Sequence, residues 1–279
     1  MPLTTEFVRI VERIAAALPV PRLRALLLPP PREPETRDAE FCAIELEDES
    51  FGFSYVWLGD TLAGLREAAP GPSPLAGRPA EEVARWILDR DPARRALGFA
   101  ALNALSQSLF RRAGYAPPAA ADSIGLLLPC AADHIGMVGL FPPLIVRILA
   151  SGARLTVIEL RPELAGDHGR YRVSLDPAEL APCNKVLSTS TVLLNDTLDA
   201  VLDACRNATF LSIIGPTAGC VPDPLFARGA DAIGGTCVAD PAGFRAAMRR
   251  GEPWGACASK YCIRPADYPG LDALIERAR

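Results

Sequence analysis

The chain has 279 residues, of which 49% are hydrophobic and 22% charged, and a formal net charge of −4. This length allows a sizeable core and lies where single cores give way to two domains, while the scattered Lys and Arg form no basic stripe for nucleic acid. No apolar run reaches the roughly 18 residues of a membrane span, and the N-terminus lacks a charged segment followed by an apolar core. The expectation is a cytoplasmic globular protein with neither nucleic-acid nor membrane partners.

The chain opens with a helix. Thr5 to Leu18 sets Phe7, Ile10, Val11, Ile14 and Leu18 on one face, and Pro19 and Pro21 end it. Strands are expected at Leu23–Leu28, Phe41–Glu47 and Phe51–Leu58, the last two joined by a tight Asp48-Glu49-Ser50 connection. Pro29-Pro30-Pro31 and the charged run to Asp38 read as an exposed loop. Phe51, Phe53, Tyr55 and Trp57 alternate, which predicts one buried face packed on helices rather than an aromatic cage. A short helix or loop at Gly59 to Leu65 and a break at Pro70–Pro74 precede two helices, Pro79–Leu88 and Pro92–Arg112. The second is rich in small residues and carries one amide, Asn103, which either satisfies neighbouring backbone or faces a cleft between domains. Gly114 to Ala121 is the expected linker.

The stretch from Ile135 to Arg161 reads as strand, glycine turn, helix and second strand, one βαβ half of a doubly wound sheet. Gly139 ends the first strand, Phe141-Pro142-Pro143 opens the helix, and Glu159 follows twenty positions after Gly139. This spacing sets a helix N-terminus against an anionic or polar group and a carboxylate against a ribose-type diol. Gly136-x-x-Gly139-x-x-Pro142 is an imperfect dinucleotide fingerprint, so a plain buried crossover stays open.

The alternation continues with a strand at Lys185–Thr189 ending in the hydroxyl run Ser188 to Thr191. A helix from Asn195-Asp196-Thr197 to Asn207 follows, with Asn195 as N-cap, then a strand at Phe210–Ile214 ending in Gly215-Pro216-Thr217. Ala232 to Val238 is a further strand, and Asp240-Pro241 begins a helix through Met248. The strand tips at Gly139, Glu159, Ser190 and Gly215 are expected around one crevice, with the tail carrying Trp254, Lys260, Tyr261 and Cys262 folded back over it. Lys260 reads as a surface lysine before a Schiff-base one.

Eight cysteines contain no C-x-x-C pair, so no zinc ribbon or thioredoxin motif is present. Cys205 and Cys237 fall in core-like patterns, whereas Cys130, Cys183, Cys220, Cys257 and Cys262 lie near element ends where convergence on a transition metal is open. His134 at a strand start and His168 in a turn read as solvated residues before ligands.

ALGFAALNAL, GMVGLFPPL with TVIELRPE, STSTVLLNDTLDAVLDACRNA, IIGPTAG and IGGTCVAD together resemble the two-part heavy-metal chelation family, a domain of unknown function preceded by its usual N-terminal companion. The resemblance covers nearly the whole chain and implies an α/β fold. An enolase-N-terminal-like α+β domain over residues 1–116 would be followed by a Rossmann-like doubly wound domain over 117–279. It implies a cleft containing Asn103, Gly139, Phe141, Pro142, Glu159, Ser190, Thr191, Asn195, Thr197, Gly215 and Pro216. Leu140 and Asn184 depart from the polar or aromatic residue and the acid expected in relatives. Enolase activity does not follow from an enolase-like domain, and no acid–base pair with recognisable spacing suggests a reaction.

Two functions fit. One is a metal- or metal-chelate-handling protein in which Glu159, Ser190, Thr191 and either Cys183 or Cys220 contact a transition-metal ion or its organic chelator. The other is an enzyme of metabolite or metallophore synthesis with a nucleotide-type cofactor, S-adenosylmethionine or a nicotinamide dinucleotide, at Gly139 and Glu159. A non-catalytic sensor of the same ligand and a homo-oligomer stay open.

Overall fold

Small residues in the long helix decide how the first part of the chain is built. The computed structural model describes residues 1–29, 40–68, 75–120, 124 and 126–279. Helix α1 (Leu3–Ala17) buries Phe7, Ile10, Val11 and Ile14, as its periodicity predicts. Strands β1 (Leu23–Leu27), β2 (Phe41–Leu46) and β3 (Phe51–Tyr55) form an antiparallel sheet in that order. The β2–β3 turn closes with Leu46 donating to the Ser50 carbonyl, at 2.9 Å, and with Glu49 in a left-handed conformation, φ 64°. Helices α2 (Thr61–Ala68) and α3 (Ala80–Ala84) follow. The single helix expected to reach Leu88 instead tightens into a 3-10 turn over Arg85–Leu88.

Helix α4 (Pro92–Arg112) has the predicted bounds, with Asp91 capping it by accepting from Ala93 N at 3.0 Å. From Ala96 to Ser106 every residue is buried, so α4 is enclosed on all sides rather than lying on a surface. Strand β3 is likewise buried on both faces, not one. Its Gly52 face meets α4 backbone so closely that a Cβ would stand 2.1 Å from Ala100 O and Ala104 N. On the other face Phe53 stacks on Trp254, and Phe51 and Phe53 meet Phe244 edge-on. The aromatic stripe thus joins the first sheet to the far end of the chain.

The stretch expected as a linker is paired. Cys262 N donates to Pro118 O (3.0 Å) and Ala120 N to Lys260 O (2.9 Å). Ala121, residues 30–39 and the Pro70–Pro74 break lie outside the described residues.

The second part alternates strands and helices. In order these are β4 (His134–Val138), α5 (Pro142–Ala150), β5 (Arg154–Ile158), β6 (Gly166–Asp167), β7 (Arg172–Ser174), β8 (Lys185–Thr189), α6 (Leu198–Ala204) and β9 (Phe210–Ile214). They are followed by α7 (Asp223–Phe226), β10 (Ala232–Val238), α8 (Pro241–Arg250), β11 (Ala258–Ile263) and α9 (Leu271–Ala278). The sheet runs β11-β10-β9-β8-β4-β5-β7-β6. The six strands β7, β5, β4, β8, β9 and β10 are parallel, with antiparallel β6 and β11 at the edges. That is the doubly wound order 3-2-1-4-5-6, in which the connections diverge between β4 and β8 and leave a crevice at the strand ends. The tail does not return over it: β11 extends the far edge, Trp254 is buried against Phe53, and α9 packs on α1 and α4. No helix among the described residues is long and apolar enough to cross a membrane.

Candidate ligand-binding site

At the end of β4 the chain reverses through Gly139, φ 87°, where a Cβ would meet Thr189 and the Phe141 ring at 3.2 Å. Gly139 N donates to Ile158 O at 2.8 Å, which holds the turn against β5. Glu159 follows β5, and its carboxylate accepts from Leu160 N (2.8 Å) and Leu140 N (3.1 Å). The carboxylate therefore braces the glycine turn as well as facing the crevice. Arg161 approaches it at 3.6 Å from an exposed position.

The opposite wall comes from β8 and the loop after it. Thr189 caps a 3-10 turn over Ser190–Leu193, accepting from Thr191 N (3.3 Å) and Thr191 Oγ1 (3.2 Å). Asn195 Oδ1 accepts from Thr197 N (3.3 Å) and Thr197 Oγ1 (2.7 Å). Helix α6 starts after Thr197 rather than after Asn195, because Asp196 is left-handed (φ 57°) and cannot belong to it. Arg95 of α4 fixes this loop, donating to Leu194 O at 3.1 Å and to Asp196 at 2.5 Å. The space between the walls, about 490 Å³ including solvent at its mouth, is lined by Gly139, Glu159, Thr189, Thr191, Asn195 and Thr197 together with apolar side chains.

Five of the eleven expected cleft residues, Gly139, Glu159, Thr191, Asn195 and Thr197, line this crevice. The others do not. Phe141 packs beside the glycine turn, and Pro142 is an exposed first-turn residue of α5. Ser190 is buried beneath Gly215, whose Cβ would stand 2.3 Å from its Oγ. Asn103 donates to Phe53 O (2.7 Å), to Thr217 O (2.9 Å) and more weakly to Pro216 O (3.4 Å). Asn103 and Pro216 thus belong to the seam between α4 and the β9 turn. Sequence reasoning did not single out Leu160, Leu175 and Pro177, which line the crevice from the ends of β5 and β7. Leu175 directly follows β7, whereas Leu160 and Pro177 come two and three residues after β5 and β7, so no shared spacing marks them in the sequence.

The cysteines proposed for metal share no centre with each other or with the crevice. Cys183 is buried before β8 against Gly136, and Cys220 is buried beyond β9 next to Val221, whose N–H is held by Ser106 of α4. Burial pushes the Cys183 thiol up to about 11 and the Cys220 thiol up to about 12, as for thiols in apolar surroundings. Among the described residues no three His, Cys, Asp or Glu stand close enough together to hold an ion. His134 is not a solvated strand start: its ring is half-buried, Nε2 lies 2.9 Å from Thr156 Oγ1, and burial lowers its pKa. His168 is exposed and stacks on Tyr171, and Lys260 is exposed.

A family model described as "Putative heavy-metal chelation" (DUF364) matches residues 122–266, just over half of the 279 residues. The chain belongs to this family. A second model with the same description (DUF4213) matches residues 39–106, so both halves of the two-part family are present. An uncharacterized protein of Methanocaldococcus jannaschii is 33% identical over 167 residues, which are 57% of this chain and 61% of that relative's length. The chain thus matches less than two thirds of that relative. Among solved structures, DUF364-family proteins of unknown function from Pyrococcus horikoshii and Desulfitobacterium hafniense superpose with TM-scores of 0.67 and 0.66 at 20% and 19% identity. They cover 94% and 93% of this chain, and 99% and 98% of their own. At that identity the likeness concerns the fold. Family membership gives a coarse, metal-related function.

Proposed function

We propose that the crevice between β4, β5 and β8 binds a small organic molecule, and that the protein meets its metal as a complex of that molecule rather than as a bare ion. The observation that carries this reading is the donor set. The polar groups of the crevice are one carboxylate, three threonine hydroxyls and one amide, all oxygen- or amide-based, and the carboxylate is already engaged by two backbone N–H groups. Soft transition metals prefer thiolate and imidazole, and among the described residues neither lines this space. Hydroxyls, an amide and a carboxylate in an otherwise apolar cleft suit an organic ligand with a few polar atoms.

A second reading has its own support. Glu159 stands at the end of the second strand in the 3-2-1-4-5-6 order, the position from which an acid meets the ribose of a nucleotide-type cofactor. In that reading the protein acts in building or modifying a metal-binding metabolite.

Native mass spectrometry of protein purified without chelators, with elemental analysis of the same sample, tests the proposal. An organic adduct accompanied by stoichiometric metal supports the chelate, and an adduct of nucleoside or nucleotide mass without metal supports the cofactor. Stoichiometric metal with no adduct contradicts both.

A further inference from the structure

On the cofactor reading, the alternative to the metal complex, we infer that the crevice takes a ribonucleoside-type ligand bearing no phosphate, with its base on the rim formed by Leu160 and Leu175 and its ribose diol on Glu159. This rests on the second reading above and goes beyond it by excluding nucleotides and dinucleotides.

The rim carries the first argument. Leu160 is 60% exposed and Leu175 46% exposed, two of the few large apolar side chains left in water, and both line the same crevice from the ends of the neighbouring strands β5 and β7. Paired apolar groups at the mouth of a cleft mark a surface that a ligand covers. Pro177, Val192 and Val201 line the same crevice, so its apolar lining suits a weakly polar ring.

The diol follows from Glu159. Its carboxylate is anchored by Leu160 N on one oxygen and Leu140 N on the other. A carboxylate has about four lone-pair sites, so each oxygen still accepts a hydroxyl, and two adjacent hydroxyls satisfy both at once.

Phosphate is excluded by the turn itself. A dinucleotide fold binds pyrophosphate with N–H groups of the glycine turn and the helix that follows. Here Gly139 N is given to Ile158 O and Leu140 N to Glu159, while Pro142 and Pro143 have no N–H. Of the five positions from Gly139 to Pro143, four offer a phosphate no donor. Among the described residues no Lys or Arg lines the crevice, and Arg161 beside it faces the Glu159 carboxylate at 3.6 Å. A phosphate would meet a carboxylate without compensation, which disfavours it. A neutral or cationic nucleoside meets no such cost.

The test is isothermal titration of the full chain with adenosine, S-adenosylmethionine, AMP, NAD⁺ and 2′,3′-dideoxyadenosine as probes. Adenosine and S-adenosylmethionine should bind, AMP and NAD⁺ at least about tenfold more weakly, and the dideoxy analogue at least about tenfold more weakly because Glu159 loses both partners. Glu159→Gln should weaken adenosine by about tenfold, and Leu175→Ala, at an exposed site that cannot unfold the core, by about threefold. AMP or the dideoxy analogue binding as well as adenosine would overturn the inference, as would no binding of adenosine. If adenosine fails while a copurifying organic adduct disappears in Glu159→Gln, the nucleoside is wrong and the chelate reading stands. If the adduct survives Glu159→Gln, the crevice itself is wrong.

Discussion

Asn103 donates its side-chain amide to the Thr217 carbonyl at 2.9 Å, which fastens the central helix α4 to the turn that ends β9. The same amide serves Phe53 O, so one side chain links three elements at a fully buried point. Asn103→Leu should leave both carbonyls without a donor. An expected loss of about 2–3 kcal/mol would appear in urea denaturation, with the crevice ligand bound almost as before, because Asn103 does not line it. Unchanged stability would contradict this role.

Gly52→Ala probes the same α4–β3 contact, one residue along β3 from Phe53. The added Cβ has backbone of Ala100 and Ala104 at 2.1 Å, and helix backbone cannot give way as a side-chain end can. A loss of about 3 kcal/mol, the upper end for overpacking, is expected in the same denaturation experiment. The neighbouring Gly59→Ala, where a Cβ meets nothing, should cost only the strain of its left-handed backbone, about 1–2 kcal/mol.

These two sites show what the sequence made legible. Periodicity identified α1, which buries one face at a regular repeat, and Pro92 with a run of small residues identified α4, which is buried all round. The burial of both faces of β3 was not legible: Gly52 and Ser54 look like ordinary outward positions until a helix of small residues is placed on them. Glu159 and Gly139 were found because a doubly wound sheet brings the tips of successive strands together. Asn103, Ser190 and Pro216, which the resemblance implied for the cleft, do not line this crevice: Asn103 and Pro216 meet at the seam between α4 and the β9 turn, and Ser190 is buried under Gly215, placements that depend on packing the sequence does not display. Leu160 and Leu175 escaped because an exposed leucine has meaning only beside a cavity.

Arg95 should govern the loop that forms the crevice wall. Without it, Asp196 keeps a left-handed conformation with no ion pair to hold it, and Leu194 O loses its donor. Arg95→Ala is expected to speed amide hydrogen exchange in residues 194–197 and to weaken crevice ligands, while exchange in β4 and β5 stays unchanged. Equal protection of the loop in both proteins would contradict this coupling.

Asp133 gives a pH prediction. Burial pushes its carboxyl up, but hydrogen bonds from Asn184, Lys185 and Cys130 outweigh it and hold the group well below the usual carboxylate range. A depressed carboxyl stabilises the fold above its unfolded value, about 3.9, and the contribution is lost as pH falls from there through the folded value. Asp133→Asn should therefore be less stable than wild type at pH 7, with the gap closing below about pH 4 in acid-denaturation curves. A gap that persists or widens in acid would contradict the assignment.

The thiols should separate by burial. Iodoacetamide at pH 8 is expected to modify exposed Cys130 in the folded protein and to spare Cys42, Cys183, Cys205 and Cys220, whose thiols burial pushes up to about 11 or 12. Peptide mass mapping reads the result, and rapid labelling of Cys183 or Cys220 would reopen them as ligands.

Anomalous diffraction from crystals of protein purified without chelators tests the central claim most directly, because it locates metal without knowledge of its ligand. The predicted result is anomalous density within the crevice, beside Glu159 and the Thr191–Thr197 wall and embedded in organic density. Anomalous density bonded directly to Cys183 or Cys220, with the crevice empty, would contradict the account.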